Sequence, residues 1–479
     1  MTRALRNVLI LLPLVLATAP RARAYDPVSA WLSGIPGQPT TVFVRNATIW
    51  TSGPQGIVEH GDLLVRQGKV AAVGTGLAAP AGALVVDGTG LSVTAGLIDA
   101  HSHTAIQGGV NEATHISTAE VRIADVLDPD DVNIYRELAG GLTVANVLHG
   151  SANAIGGQNA VIKLRWGAPV EDLVFPAAPP GIKFALGENP KQSNWNVDER
   201  RYPQTRMGVE EIIRSRFDAA RRYQNEWDAY RASKTKHLVP PRRDLELEAI
   251  SEVLAGKRLI HSHSYRADEM LMLMRLAEEF GIRVATLQHG LESYKIADEV
   301  ARHGAGVSMF SDWWAYKYEV VDAIPWAGAI DFRHGVVVSY NSDDDEQARR
   351  LNLEAAKAER YGDVPAQEAL KFVTLNPALQ LRIADRVGSL EPGKDADFVV
   401  WSGPPLDSTS VCLETWIDGR KYFDRDADRS AQAAIARERA TLIAKVRADA
   451  AQSKTPAKPE TRPPGGGKTA PAGAVEASR

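Results

Sequence analysis

The feature that most constrains this chain is a regular alternation of apolar runs and amphipathic stretches over residues 96–384. Short β-rich runs, such as 141–147 and 283–287, are followed by segments whose apolar residues recur at helical spacing, as in 209–217. Alternating strands and helices over such a length predict an α/β fold, and a (β/α)₈ TIM barrel suits it best. A doubly wound parallel sheet is the alternative, but no glycine-rich phosphate-binding turn follows the early strands.

The first 24 residues have the pattern of a signal peptide. Arg3 and Arg6 form a positive n-region, residues 8–17 an apolar core, and Ala22-Arg23-Ala24 a cleavage signal. The apolar core is too short for a helix that spans a bilayer, which needs about 20 residues. We therefore expect an exported protein, periplasmic or secreted and without stable membrane insertion, whose mature chain begins at Tyr25.

A small β unit is predicted from both chain ends. Short β-rich runs separated by Gly and Asp turns occupy 41–86, and the same texture returns at 397–420. The last residues are rich in Ala, Pro, Gly and Lys, which is typical of a flexible tail. The predicted division is a signal peptide at 1–24, a composite β-sandwich from 25–95 and 385–426, a barrel at 96–384, a C-terminal helix at 427–450 and a disordered tail at 451–479.

The composition narrows the class of function. Lys and Arg number 55 against 59 Asp and Glu, for a net charge of −4, so the chain has no excess of basic residues for nucleic acid. The single cysteine, Cys412, excludes an intrachain disulfide, a zinc ribbon and an iron–sulfur cluster. A metal site must therefore use histidines and carboxylates. The expected partner is a small molecule or short peptide, and a homo-oligomer is compatible with the sequence.

Four apolar runs end in histidine or aspartate. In the first, two histidines stand two residues apart, and the period of a strand places both rings on one face. Several histidines and one aspartate at strand ends indicate a catalytic metal site with an open position, for which zinc is the expected ion. The side chains are, in chain order, His101, His103, His261, His263, His289 and Asp343.

The motifs around these residues resemble those of the metal-dependent amidohydrolase superfamily. They read GLIDAHSH, IHSHSYRADE, QHG and NSDDDE, followed by VGSLEPGKDAD at 387–397. The resemblance covers about 41–423, and the chain is most similar to an exported branch of imidazolonepropionase-like and Xaa-Pro dipeptidase-like enzymes. It implies a (β/α)₈ barrel with a composite β-sandwich, and one or two divalent ions that activate water to attack a C–N bond.

The resemblance also implies roles for individual residues. His261 is preferred to His263 as the fifth-strand ligand because it directly ends the apolar run; His263 would then contact substrate or steady the site. Asp343 would bind the ion and act as general acid and base. The neighbouring Asp344 and Asp345 better suit helix capping. The implied ligands are His101, His103, His261, His289 and Asp343.

Lys183 lies between apolar neighbours in the predicted fourth strand, GIKFAL. A lysine that faces a barrel interior is costly unless it is paired or neutralised. The resemblance to binuclear members implies that Lys183 is carboxylated and bridges two ions. The alternative is a lysine that pairs with a barrel carboxylate or reaches the substrate.

Four further residues are candidates for the surroundings of the site. Asp99 is expected either to orient a metal-bound histidine or to serve as a turn acid. Arg266 is a candidate for binding a substrate carboxylate. Trp313 and Trp314 either line a substrate pocket or cover the barrel rim.

Two classes of function remain. The first is an exported metallohydrolase of amide, dipeptide or cyclic-amide bonds, and the second is a barrel that retains metal without turnover and acts as a binding protein. The intact Asp343 favours the enzyme. Among hydrolases, dipeptide cleavage competes with ring opening of a lactam or an imidazolone, and the export signal favours a peptide-like substrate.

Overall fold

The computed structural model describes residues 38–193, 201–235, 237–313 and 316–452. The predicted signal peptide and nearly all of the predicted tail lie outside these ranges. The strands are β1 (Thr41–Trp50), β2 (Ile57–Arg66), β3 (Lys69–Gly74), β4 (Leu84–Asp87), β5 (Ser92–Ala95), β6 (Leu97–Ser102), β7 (Leu142–Val147), β8 (Ile155–Gln158), β9 (Ala160–Lys163), β10 (Gly181–Ala185), β11 (Leu259–His263), β12 (Thr286–His289), β13 (Gly306–Met309), β14 (Val338–Tyr340), β15 (Phe398–Trp401), β16 (Cys412–Ile417) and β17 (Arg420–Asp424).

Helices alternate with strands through the middle of the chain. They are α1 (Val132–Leu138), α2 (Val170–Leu173), α3 (Glu188–Lys191), α4 (Arg206–Ala232), α5 (Leu245–Leu254), α6 (Ala267–Glu279), α7 (Ala297–His303), α8 (Ala327–Arg333), α9 (Asp345–Ala348), α10 (Leu351–Gly362), α11 (Ala366–Lys371), α12 (Leu375–Gln380) and α13 (Arg425–Gln452). Short 3₁₀ turns occur at Ile123–Asp125, Ser293–Ile296 and Tyr318–Val320. Within the described ranges, no helix combines the length and the apolar character that crossing a bilayer requires.

Both chain ends contribute to one eight-stranded sheet. Its order is β17-β16-β15-β5-β1-β2-β3, with β4 paired to β1. The ends meet where β15 runs antiparallel to β5, from Phe398 opposite Ala95 to Trp401 opposite Ser92. Phe398 also stacks on the buried Trp416 with ring centroids 5.2 Å apart. The assignment of this sheet as a separate sandwich domain stays a prediction.

The strands of the middle segment form two further sheets. One has the order β14-β13-β12-β11-β10-β8 and is parallel from β10 to β14, and the other has the order β6-β7-β9. Within the described residues the two sheets do not close into the predicted barrel. The parallel order is interrupted because β8 and β9 pair antiparallel with β10 and β7. Between β14 and β6, the main-chain nitrogen of Asp343 donates to the carbonyl oxygen of His101 at 3.1 Å.

The parallel strands determine where side chains gather. The carboxyl ends of parallel strands meet at one edge of a sheet, so the residues that end β11 and β12 are neighbours in space. Helix α6, for example, packs onto the strands through buried apolar residues at helical spacing, including Met270, Leu273 and Ala277. This packing anchors the strands at whose ends the site described below lies.

A buried ion network joins the middle segment to the terminal sheet. Lys163, the last residue of β9, has a fully buried side chain. Its Nζ lies 2.8 Å from Asp395 Oδ2, 3.0 Å from Asp397 Oδ2 and 2.7 Å from Asp418 Oδ1. The aspartates stand around β15 and β16, more than 230 residues further along the chain. The network therefore ties parts of the chain that are remote in sequence.

We expect Lys163→Met to lower the free energy of unfolding by about 3–5 kcal/mol, because it removes the cation next to the buried Asp397, while Asp395 keeps Lys69 and Arg386. Urea denaturation followed by circular dichroism measures the change. The control is Arg45→Met, which breaks an ion pair with Asp87 in which both side chains are more than half exposed. Equal stability of the two variants would contradict the prediction.

Candidate active site

Histidine side chains surround the carboxylate of Asp343 at the strand ends. Asp343 Oδ1 lies 3.4 Å from His101 Nε2 and 3.1 Å from His103 Nε2, and Oδ2 lies 3.8 Å from His289 Nε2. Ligand atoms of His101, His289 and Asp343 all lie within 4.8 Å of one another. The fold thus brings together four of the residues that the sequence singled out, from the end of β6 and the residue after it, from β12 and from the turn after β14.

Two of these residues adopt a left-handed backbone conformation. The φ angle is +69° at His289 and +51° at Asp343. Such angles are uncommon for residues other than glycine and recur at functional sites. The next residue, Gly290, cannot be replaced without a shift, because a Cβ there would lie 2.3 Å from Cγ1 of Val307. The strand of His289 therefore ends in a turn that the sequence pattern alone does not define.

Hydrogen bonds orient the first two histidines. His103 Nδ1 donates to the carbonyl oxygen of Leu148 at 2.8 Å, and His101 Nδ1 donates to Gln288 Oε1 at 3.2 Å. The amide of Gln288 is itself oriented, since its Nε2 donates to the carbonyl oxygen of Ala100. In the neutral rings, these contacts direct the lone pair of each Nε2 toward Asp343.

The chemistry of this group fits a divalent cation. His101 and His289 are almost completely buried, and burial is the main reason that the pKa of each ring lies well below its usual value. The lowered pKa favours the neutral form of both rings, in which a ring nitrogen is available as a ligand. Both ring nitrogens of His289 are buried without a hydrogen-bond partner among the described residues. Neutral imidazoles arranged around a carboxylate are the ligands that zinc takes in the absence of thiolates.

Asp99 stabilises the backbone of the site and not a histidine ring. Its Oδ1 accepts from the main-chain nitrogens of His101 at 3.1 Å and Ser342 at 3.2 Å, and its Oδ2 accepts from the Ser342 hydroxyl. Burial raises the pKa of Asp99 to about 7. The sequence suggested that Asp99 orients a metal-bound histidine or serves as a turn acid; in the structure, the ring of His101 contacts Gln288.

The two histidines of β11 lie at different distances along the strand from the other histidines of the site. The ring of His261 packs against the first residue of β10, since a Cβ on Gly181 would lie 2.9 Å from His261 Nε2. The ring of His263 lies 4.8 Å from that of His289, and its Nε2 lies 3.4 Å from Nδ2 of Asn189. Both histidines belong to one face, but the fold brings His263, and not the preferred His261, beside His289.

Lys183 lies next to the histidines that surround Asp343. Its side chain is completely buried, and Nζ lies 3.1 Å from His101 Nε2. In the register of β10 and β11, Lys183 stands opposite His261 and Ala185 opposite His263. The position of Lys183 agrees with a role in the site, while its carboxylation stays a prediction.

The remaining candidates differ in their placement. Arg266 is 40% exposed and binds Asp268 through two hydrogen bonds of 3.0 and 2.9 Å, so its charge is neutralised at the surface. The ring of Trp313 stacks on Phe310 at 4.3 Å, and Phe310 stacks on His289 at 4.7 Å. Trp313 therefore lies two rings from the histidines, and Trp314 lies outside the described residues.

Several residues of the site were not predicted. Gln288 contacts His101 across 187 positions of the sequence, and its adjacency to His289 was the one available signal. Tyr265 is almost completely buried, with its ring 4.4 Å from that of His263; the sequence places it beside the site but assigns it no role. Asn189 and Phe310 carry no local signal, because only the packing of separate strands brings them to the histidines.

Comparison with known proteins places the chain among amidohydrolases. The profile of the amidohydrolase family matches residues 246–423. The crystal structure of an amidohydrolase from Thermotoga maritima MSB8 is 35% identical in sequence, with a TM-score of 0.73 over 80% of this chain and 100% of that one. A Xaa-Pro dipeptidase crystallised with methionine is 18% identical, with a TM-score of 0.53 over 80% of this chain and 99% of that one, and shows a similar fold.

A curated relative gives the same result. Amidohydrolase tasK from Hapsidospora irregularis is 31% identical over 434 residues, which make up 81% of this chain and 43% of tasK. The chain thus spans less than half the length of this curated relative. Since the Thermotoga amidohydrolase is matched over its whole length, the mixed α/β fold is that of its TIM-barrel relatives, and the chain belongs to the amidohydrolase family.

Proposed function

We propose that this protein is an exported, metal-dependent hydrolase of C–N bonds in amides, dipeptides or cyclic amides. The observation that carries the proposal is the position of the Asp343 carboxylate, 3.1–3.8 Å from the Nε2 atoms of His101, His103 and His289. Membership of the amidohydrolase family supports hydrolysis. The buried, neutral histidines support a bound divalent ion.

The proposed ligands come from four strand ends and one buried lysine. His263 replaces His261 in the set, because its ring lies beside His289. A bound divalent ion, with zinc as the first choice, supplies Lewis-acid activation of water and of the substrate carbonyl. The residues that would hold one or two ions are His101, His103, Lys183, His263, His289 and Asp343.

Asp343 is the proposed general base and acid. Its side chain is only 3% exposed, so the carboxylate acts where little bulk water competes for the proton. It takes a proton from the attacking water and returns it to the leaving nitrogen, which departs as a neutral amine. The backbone contacts of Asp99 to Ser342 and His101 hold this carboxylate against the histidines.

The test is hydrolysis of a panel of dipeptides, N-acylamino acids, lactams and an imidazolone, with Zn²⁺ or Mn²⁺ added and Asp343→Asn as the blank. We expect cleavage of at least one peptide-like compound by the wild-type protein. A protein that binds metal and panel compounds but releases no product would instead establish the binding protein without turnover.

Lys183 yields a prediction about metal content. In the proposal its neutral amine adds to CO₂, which forms a carbamate and releases one proton. The two carbamate oxygens can each bind one ion, so the wild-type protein should carry about two ions per chain. Lys183→Ala should carry one or none, and short carboxylic acids should partly restore the second. Elemental analysis of metal per chain is the measurement.

The control for this prediction is Lys191→Ala, which removes a largely buried lysine near the end of α3 and should leave the metal content unchanged. One tightly bound ion in both the wild type and Lys183→Ala would reject the carbamate bridge. The site would then be mononuclear, with the same histidines and Asp343.

Export yields a separate prediction. The n-region, apolar core and cleavage signal predict that signal peptidase removes residues 1–24. In a bacterium with two membranes, the chain recovered from the periplasm should begin at Tyr25 when its N-terminus is sequenced. Recovery of the chain in the cytoplasm with Met1 intact would contradict export and leave the proposed hydrolysis unaffected.

A further inference from the structure

A lysine ammonium lies next to the histidine group at the ends of β11 and β12. Lys317 Nζ lies 4.4 Å from the ring centroid of Tyr265, and the ring of Tyr265 lies 4.4 Å from that of His263 and 5.7 Å from that of His289. The Lys317 side chain is 19% exposed, so it is partly shielded and still accessible.

One side-chain amide separates this lysine from His263. Lys317 Nζ donates to Asn189 Oδ1 at 3.4 Å, and Asn189 Nδ2 lies 3.4 Å from His263 Nε2. The charge of Lys317 also acts on the pKa of the nearby histidines. Burial is the main cause of the lowered pKa of His263 and His289, and Lys317 adds to it.

Several side-chain contacts attach the segment that carries Lys317 to neighbouring parts of the structure. Tyr316 donates its hydroxyl to that of Tyr265 at 2.9 Å. Glu319 accepts the main-chain nitrogen of Glu188 and forms an ion pair with Arg206. These contacts attach the segment that carries Lys317 to Tyr265, Glu188 and Arg206, which places the lysine beside the histidines.

Lys317 forms an ion pair with a partly exposed acid. Glu188 Oε1 lies 3.3 Å from Lys317 Nζ, and the Glu188 side chain is 21% exposed. For a substrate carboxylate to bind Lys317, it would replace this oxygen while Glu188 turns to solvent. The other candidate, Arg266, is already bound to Asp268 at the surface.

We propose that Lys317 binds a free carboxylate of the substrate next to the scissile C–N bond, so that the substrate class is dipeptides and N-acylamino acids with a free carboxylate. This inference rests on the proposed function. Lys317 Nζ and His263 Nε2 each lie 3.4 Å from a polar atom of the same Asn189 amide, so the ammonium is close enough to the histidines to hold one end of a short substrate. Neutral lactams and cyclic imides lack the group that Lys317 would bind.

The test compares each dipeptide of the panel with its C-terminal amide. Where they are hydrolysed, kcat/KM is measured, and where they are not, Kd is measured by calorimetry on the metal-loaded protein. The free acid should be preferred about tenfold or more, because a charge-assisted hydrogen bond is lost in the amide. Lys317→Met should remove this preference by weakening the acid alone, mainly through KM, and Lys317→Arg should retain part of it.

The matched control is Lys295→Met. Like Lys317, Lys295 forms an ion pair and lies over a tyrosine ring, but its two acids, Asp322 and Glu292, belong to another part of the structure. It should keep the full preference. The inference would be overturned if kcat/KM or Kd were equal for acid and amide in the wild type, or if Lys317→Met weakened both equally. Absence of binding by every panel compound would also overturn it.

The two proposals fail in different ways. Hydrolysis with no preference for the acid rejects the role of Lys317 and retains the hydrolase. Preferential binding of the acid without any hydrolysis rejects the hydrolase and retains the carboxylate site. The comparison in the wild-type protein alone can overturn the inference, so the test holds even when Lys317→Met does not fold.

Discussion

Replacing Asp343 with asparagine is expected to lower kcat/KM by about 10³-fold, because general acid–base groups contribute roughly 10²–10⁴-fold. Asparagine has nearly the same shape, but its amide cannot take a proton from water or return one to the leaving nitrogen. The carboxylate faces three Nε2 atoms at 3.1–3.8 Å, so its removal should also lower the affinity of the site for a cation. Steady-state kinetics with elemental analysis of the same samples separates the two effects.

The neighbouring aspartate offers a matched control. Asp344 Oδ1 accepts the main-chain nitrogen of Gln347 at 2.8 Å and caps helix α9. Asparagine caps a helix as well as aspartate does, so Asp344→Asn should leave kcat/KM unchanged. The role of Asp343 is refuted if Asp343→Asn keeps more than about a tenth of the activity, or if Asp344→Asn loses as much.

Removing the bound divalent ion is expected to abolish hydrolysis and to lower Tm. An ion that binds only the folded chain stabilises it by about 2.7 kcal/mol at a free concentration one hundred times its Kd. Without an ion, the buried nitrogens of His289 and the carboxylate of Asp343 keep their desolvation cost. Dialysis against a chelator, followed by activity assays and thermal unfolding, measures both effects, and Zn²⁺ or Mn²⁺ should restore them.

Two histidine variants make this test specific. His289→Ala should lose the metal and its Tm should no longer respond to the chelator. His334→Ala removes an exposed histidine paired with Asp298 and should behave like the wild type. Full activity after chelation, or a protein isolated with stoichiometric flavin or haem and no metal, would refute the metal site.

The strand segments were largely predictable, because a strand that is buried on both faces has a continuous run of apolar residues in the sequence. The predicted run at 141–147 corresponds to β7 (Leu142–Val147), and the run at 283–287 overlaps β12 (Thr286–His289). The pairing was less predictable. β8 and β9 join their sheets antiparallel, and no local pattern indicates which distant strand a short apolar segment pairs with.

The site shows the same division. The sequence pointed to His101, His103, His289 and Asp343, because polar residues that end apolar runs are brought to one edge by parallel strands. It did not point to Gln288, whose neighbour His289 adopts a φ of +69°. Strand alternation would send these two side chains to opposite faces, and the left-handed turn changes that rule locally.

The sequence by itself determined which side chains are available at the strand ends: histidines and one aspartate, without thiolates, in an alternating α/β chain. The tertiary structure decided which members of that set meet. His261 and His263 share one face of β11, and a period of two residues specifies the face but not the depth. How far each histidine lies along β11 from the site depends on the register of β10 and β12 beside β11. The contact of Lys317 with Tyr265 depends on the packing of segments about 50 residues apart. Such contacts arise from packing between distant segments, which local sequence patterns do not encode.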